Sequence, residues 1–196
     1  MHMIEQRIQQ QFFDSADLQY QTAESLARPI ADAAQALLAC ITAGGKLLVC
    51  GAGGGAALAA VFTAAFVGGF ERERPALAAL ALAADGALAH AAGAEQAFAR
   101  QVQAIGQPGD LLLLIDPGLD AAALVAAARA AHDQDMTVLA LTGRTGAALR
   151  QQLTEADVLI AVPHERGARV LETQLLALHC LCDAIDLQLL GEQDPE

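Results

Sequence analysis

Four glycines set between an apolar run and an alanine-rich stretch are the first residues of this chain whose types and spacing could do chemistry. In Cys50-Gly51-Ala52-Gly53-Gly54-Gly55-Ala56 the preceding residues read as a strand and the following ones as a helix. That order places unpaired backbone amides at the positive end of a helix dipole, where they can hold an anion. Gly51, Gly53, Gly54 and Gly55 would let a phosphate approach the backbone closely. A dinucleotide fingerprint is one reading, since Gly51, Gly53 and Ala56 satisfy its permissive spacing and Asp85 lies near the end of the next strand, farther along than usual. A tight turn that binds nothing is the plain alternative.

Other polar candidates are few. Glu172 and His179 on the last apolar helix are the acid-base candidates; each also has a structural role open to it, as an interface carboxylate and as a satisfied core imidazole. Asp116 and Asp120 follow the strongest strand, but two acids are a poor site for a hard cation that prefers about six or more oxygens. His164 and Arg166 occupy a loop that either meets a ligand or is simply solvated. Cys180 and Cys182 flank the same turn as His179, yet neighbours one and two apart on a helix point in different directions. Neither a metal nor a cofactor is expected.

The elements that must position these groups alternate along the chain. Ile4 to about Ala43 reads as two helices, the second admitting Pro29 in its first turn and stopped by Gly44-Gly45. Strands are expected at 46–50, 77–82, 111–115, 136–141 and 158–162. Helices are expected after the glycine loop and at 95–105, 120–133 (Asp120 as cap), 147–153 and 167–190. Continuous apolar strands alternating with helices imply an α/β fold, a doubly wound parallel five-stranded sheet covered on both faces. A single domain over 1–196 is expected, with N-terminal helices at 1–43, the α/β core at 44–190 and an acidic tail at 191–196.

Bulk composition narrows the partners. The formal charge is −12 with only 11 Lys and Arg, which argues against direct binding to nucleic acid. Aromatics are 4% with no Trp, so the core must be built from many small contacts. No apolar run is clean enough to span a membrane. With no apolar leader at the N-terminus and four cysteines taken as reduced, a cytoplasmic location is expected. The last helix is apolar on most sides and the first carries Phe12-Phe13, a pattern that points to an oligomer.

CGAGGGAA, the Glu71-Arg72-Glu73-Arg74-Pro75 turn, QAIGQPGDLLL, MTVLALTGRTG and RVLETQLLALHCLCDAID together resemble the SIS (sugar isomerase) domain family, specifically its phosphoheptose isomerase branch. The strongest likeness is to the members that associate with the replication initiator DnaA. The resemblance implies an open-sheet fold and a phosphosugar site using Gly51, Gly53, Gly54, Gly55, Asp85, Asp116, Asp120 and Thr142. In the isomerase branch a His and a Glu on the helix after the glycine loop match Val61 and Ala65 here, neither of which can accept a proton. On the last helix a Gln-Glu pair and two His match Leu171, Glu172, Gln174 and His179. The Ser-Thr-rich phosphate loop matches 116–121, whose two carboxylates repel a dianion while Pro117 removes an amide donor.

The resemblance therefore implies a non-catalytic homo-oligomer, read as a tetramer, that presents Leu189 and Leu190 to DnaA. Two alternatives stand beside it. One is a phosphoheptose isomerase acting on sedoheptulose 7-phosphate; the other is a sensor for a sugar derivative.

Overall fold

Every strand is a short apolar run, and in the computed structural model, which describes residues 2–83, 86–119 and 121–192, the five strands pair in parallel. β1 (Leu47–Gly51), β2 (Ala79–Ala81), β3 (Leu111–Asp116), β4 (Thr137–Thr142) and β5 (Val158–Ala161) lie in the order β2-β1-β3-β4-β5. The winding reverses between β1 and β3, and a crevice opens at the carboxyl ends of strands where such a reversal occurs. The glycine loop leaves β1 there and the Asp116 loop leaves β3.

The helices are α1 (His2–Thr42), α2 (Gly54–Gly68), α3 (Gly86–Ala92), α4 (Ala97–Ile105), α5 (Ala122–His132), α6 (Ala147–Arg150) and α7 (Gly167–Leu190). Alternate residues of the strands feed two separate cores. Leu111, Leu113 and Ile115 pack with Leu37, Phe62, Phe66, Leu178 and Leu181 from α1, α2 and α7. Leu112 and Leu114 face Phe98, Val102, Leu124 and Leu149 from α4, α5 and α6. On α5, Ala127, Ala128 and Ala131 are fully buried, so small side chains let this helix lie close to the sheet.

One expectation changes. The two leading helices are a single helix of 41 residues with Pro29 inside it. An interior proline costs about 3 kcal/mol through its missing donor and ring clash. Here the buried stripe continues across it, with Leu18, Thr22 and Leu26 before and Ala33, Ala34 and Leu37 after. Burying a side chain of Leu size is worth about 1.5–3 kcal/mol, enough to hold the helix together on both sides. The helix α3 was not anticipated, because its alanines give helix propensity without an apolar periodicity. β2 is shorter than 77–82, being an edge strand whose residues are only half-buried.

Candidate functional site at the carboxyl edge of the sheet

The glycine loop is built by close approach. A Cβ at Gly51 would collide with the backbone of Gly55, and one at Gly55 with the carbonyl of Ile115. Gly53 takes φ 53°, a left-handed conformation that glycine adopts without strain. The amides of Ala52, Gly55 and Ala56 donate to Ile115, Ala52 and Gly53. Gly53 and Gly54 are exposed at the N-terminus of α2, the geometry an anion can use. Two leucines border that surface. A Cβ at Gly53 would meet Leu119 Cδ1 at 2.7 Å, and one at Gly54 would meet Leu171 Cδ1 at 2.6 Å.

Asp116 ends β3 fully buried, and its Oδ1 accepts from the amides of Gly118 at 2.9 Å and Leu119 at 2.7 Å. The carboxylate thus occupies two donors of the loop that was expected to contact phosphate. Asp116 therefore shapes this loop, with Oδ1 engaged by its backbone amides. Thr142 is also engaged within the fold. It is fully buried and its hydroxyl accepts from Arg150 Nη2 at 3.5 Å, which ties β4 to the end of α6. Asp85 and Asp120 lie outside the described residues.

α7 brings three different environments to this edge. Leu171 faces the glycine loop, and Gln174 Nε2 donates to the backbone oxygen of Asp116 at 2.9 Å. Glu172 faces α1, accepting from Ser15 Oγ at 2.6 Å and pairing with Arg169 at 2.5 Å. Arg169 also donates to the backbone of Gln11 at 2.6 Å. Gln11, Phe12, Ser15, Arg169 and Glu172 line a cavity of about 230 Å³. His179 stacks on Phe70 with ring centroids 5.3 Å apart. It stands seven residues beyond Glu172, a rise of about 10 Å along the helix, so the two do not share one proton-transfer step.

Val61 is half exposed on α2 and Ala65 offers only its backbone oxygen, to Arg74 and Gly69. Cys50 precedes the glycine loop, but burial pushes its thiol far up, so it stays neutral and is not a nucleophile. Among the described residues no group of three His, Cys, Asp or Glu is placed to hold a metal ion. Leu189 and Leu190 are 38% and 41% exposed at the end of α7. No described helix is long and apolar enough to cross a membrane.

Sequence reasoning missed Gln11, Ser15 and Arg169. The i,i+3 spacing of Arg169 and Glu172 was a readable pair signal. Ser15 had none, because 157 residues separate it from Glu172.

An open parallel sheet with a glycine loop at its switch point defines a doubly wound α/β domain. Over residues 11–143 the sequence matches the SIS domain, and the chain belongs to that family. The phosphoheptose isomerase of Methylibium petroleiphilum is 61% identical over 198 residues, spanning 99% of each chain. That of Thiobacillus denitrificans is 45% identical over 96% of this chain and 98% of its own. The structure of phosphoheptose isomerase from Neisseria gonorrhoeae superposes with a TM-score of 0.87 at 37% identity, covering 93% and 98% of the two chains.

These similarities overturn the expectation of a non-catalytic adaptor for the replication initiator. The relatives matched along nearly the whole chain are named as enzymes, isomerases of a phosphorylated heptose. Val61, Ala65 and the 116–121 loop speak against catalysis position by position, but the likeness to named isomerases runs along nearly the whole chain.

Proposed function

We propose that the chain is a phosphoheptose isomerase acting on sedoheptulose 7-phosphate. The observation that carries this reading is the 61% identity to a phosphoheptose isomerase along 99% of the chain, with the exposed glycine loop at Gly53 and Gly54 lying at the switch point where a sugar can sit. Aldose-ketose isomerisation moves a proton between adjacent carbons, so it needs a positioned base. With Val61 and Ala65 inert, Glu172 is the remaining carboxylate for that role. It faces α1 with its oxygens held by Arg169 and Ser15, so acting as the base requires it to release Ser15 and turn toward the glycine loop. A second reading is binding of the same sugar phosphate without turnover. Val61, Ala65 and Leu171 favour it, because each puts hydrocarbon where proton transfer would need a polar group.

A coupled assay with purified protein separates the two. Conversion of sedoheptulose 7-phosphate that falls about 10²–10⁴-fold in Glu172→Gln supports the isomerase. Binding with no conversion supports the second reading, and no binding removes both.

A homo-oligomer also forms part of this proposal. Met3, Ile4, Ile8, Phe12 and Phe13 are 53–82% exposed along the first turns of α1. A stripe this apolar is the kind of surface that subunit contacts cover. Light scattering on Ile8→Glu with Phe12→Glu tests it: the wild type runs as an oligomer and the variant as a monomer.

A further inference from the structure

We propose that the phosphate of the ligand is held by Arg144, His164 and Arg166, in the pocket between the loops that follow β4 and β5, and not by the loop after β3. The proposal rests on the sugar-phosphate reading only for the identity of the sugar.

The loop after β3 is poorly placed to take a dianion. Two of its amides already bind the Asp116 carboxylate, whose negative charge in the same loop disfavours a second anion there. The neighbouring pocket has the opposite character. Arg144, Pro163, His164, Glu165 and Arg166 line about 340 Å³ of open space. The loops converge there, since a Cβ at Gly143 would lie 3.4 Å from both the His164 and the Pro117 carbonyls. Arg144 N donates to the His164 carbonyl at 3.1 Å, which fixes one loop against the other.

The donors are available. Arg144 spends Nη2 on the Pro163 carbonyl at 3.2 Å, and its Nη1 sits 3.5 Å from Glu165 in a pair exposed on both sides. Such exposed pairs contribute little and yield readily to a stronger anion. Arg166 spends Nη2 on Gln11 at 2.7 Å, and a guanidinium carries further N–H donors. His164 Nδ1 accepts from the Arg166 amide at 3.0 Å, so its proton resides on Nε2 as a donor.

The charge distribution agrees. The chain is acidic overall, with 11 Lys and Arg against 23 Asp and Glu, whereas over 143–172 Arg144, Arg150, Arg166 and Arg169 balance Glu155, Asp157, Glu165 and Glu172. Arg166 is moreover the N-cap of the 24-residue α7, whose first turn holds no acidic residue. Cations at that end oppose the helix dipole, and a bound anion relieves the conflict.

Calorimetry with inorganic phosphate, sedoheptulose 7-phosphate and unphosphorylated sedoheptulose tests this on the wild type, on Arg144→Gln with Arg166→Gln, and on Arg129→Gln as a distant control. Both arginines are exposed, and Arg144→Gln alone serves if the double variant melts early. Affinity for the two phosphate probes should fall on the order of tenfold or more in the double variant, as expected for lost charge-assisted hydrogen bonds. The control should match the wild type, and neutral sugar should be insensitive to every change. Phosphate bound and lost in the double variant, with no sugar phosphate bound, keeps this pocket and removes the sugar reading. Sugar phosphate bound equally by wild type and double variant places the phosphate elsewhere and overturns the proposal. So does a wild type that binds neither phosphate probe.

Discussion

Gln174 Nε2 donates to the backbone oxygen of Asp116 at 2.9 Å, fastening α7 to the end of β3 across 58 residues of sequence. The same oxygen accepts from Gly143 N at 3.2 Å, so β3, β4 and α7 meet at one atom. Gln174 is fully buried and its Oε1 has no partner among the described residues. In Gln174→Leu a hydrogen bond is lost while an orphaned acceptor disappears. These effects oppose each other, and the net change should stay within about 1.5 kcal/mol. Gln174→Glu instead places an acid beside the same carbonyl, and should cost several times more in a urea titration near neutral pH.

The glycine loop divides into positions that tolerate a side chain and positions that do not. Gly51→Ala and Gly55→Ala push a methyl into backbone, which cannot move aside. Each should lower stability by about 1–3 kcal/mol or more. Gly54→Ala meets only the tip of Leu171 and should cost far less. Thermal melting of the three variants checks the order, and equal losses would mean the loop is looser than its geometry.

Arg74 is buried with Asp186 and also donates to the carbonyls of Phe66, Pro75 and Ala65. It anchors the turn after α2 to the last helix. Arg74→Met leaves Asp186 buried without its cation and should cost about 3–5 kcal/mol. Arg74→Met with Asp186→Leu should recover part of that loss. A double variant as unstable as the single one would assign the cost to the three carbonyls.

The parallel five-stranded sheet was legible because its strands, Leu111 to Ile115 above all, are apolar without interruption, and Gly or Pro marks several of their ends. The glycine loop was legible for the same reason. The site was harder to read. Asp116 looked like a ligand residue, yet its role depends on amides two and three residues later, which only a folded loop reveals. Glu172 was visible, but not Ser15 on α1, because tertiary packing alone brings them together. Pro29 misled because its local cost is plain in sequence, whereas the burial that offsets it is spread along the α1–α7 contact.

All four cysteines are free, and Cys180 alone is exposed. Burial, with Asp183 next, raises the Cys180 thiol, while burial and Asp186 push Cys182 up to about 12. Their unfolded counterparts ionise near the ordinary 9.0. A neutral thiol preferred in the fold stabilises it fully below that value, and the contribution is lost as pH climbs from there toward about 12. Urea midpoints should therefore fall between roughly pH 8 and pH 10.5, and fall less in Cys182→Val. An aromatic disulfide reagent near pH 8 should label Cys180 slowly and the other three only after unfolding.

The most direct test is an equilibrium titration of the wild-type protein with sedoheptulose 7-phosphate, followed by calorimetry. A sugar-phosphate site at the carboxyl edge of the sheet predicts saturable binding with a Kd below about 1 mM, and at least tenfold weaker binding of unphosphorylated sedoheptulose. Heats that stay at the level of dilution for both sugars at several times that concentration would contradict it.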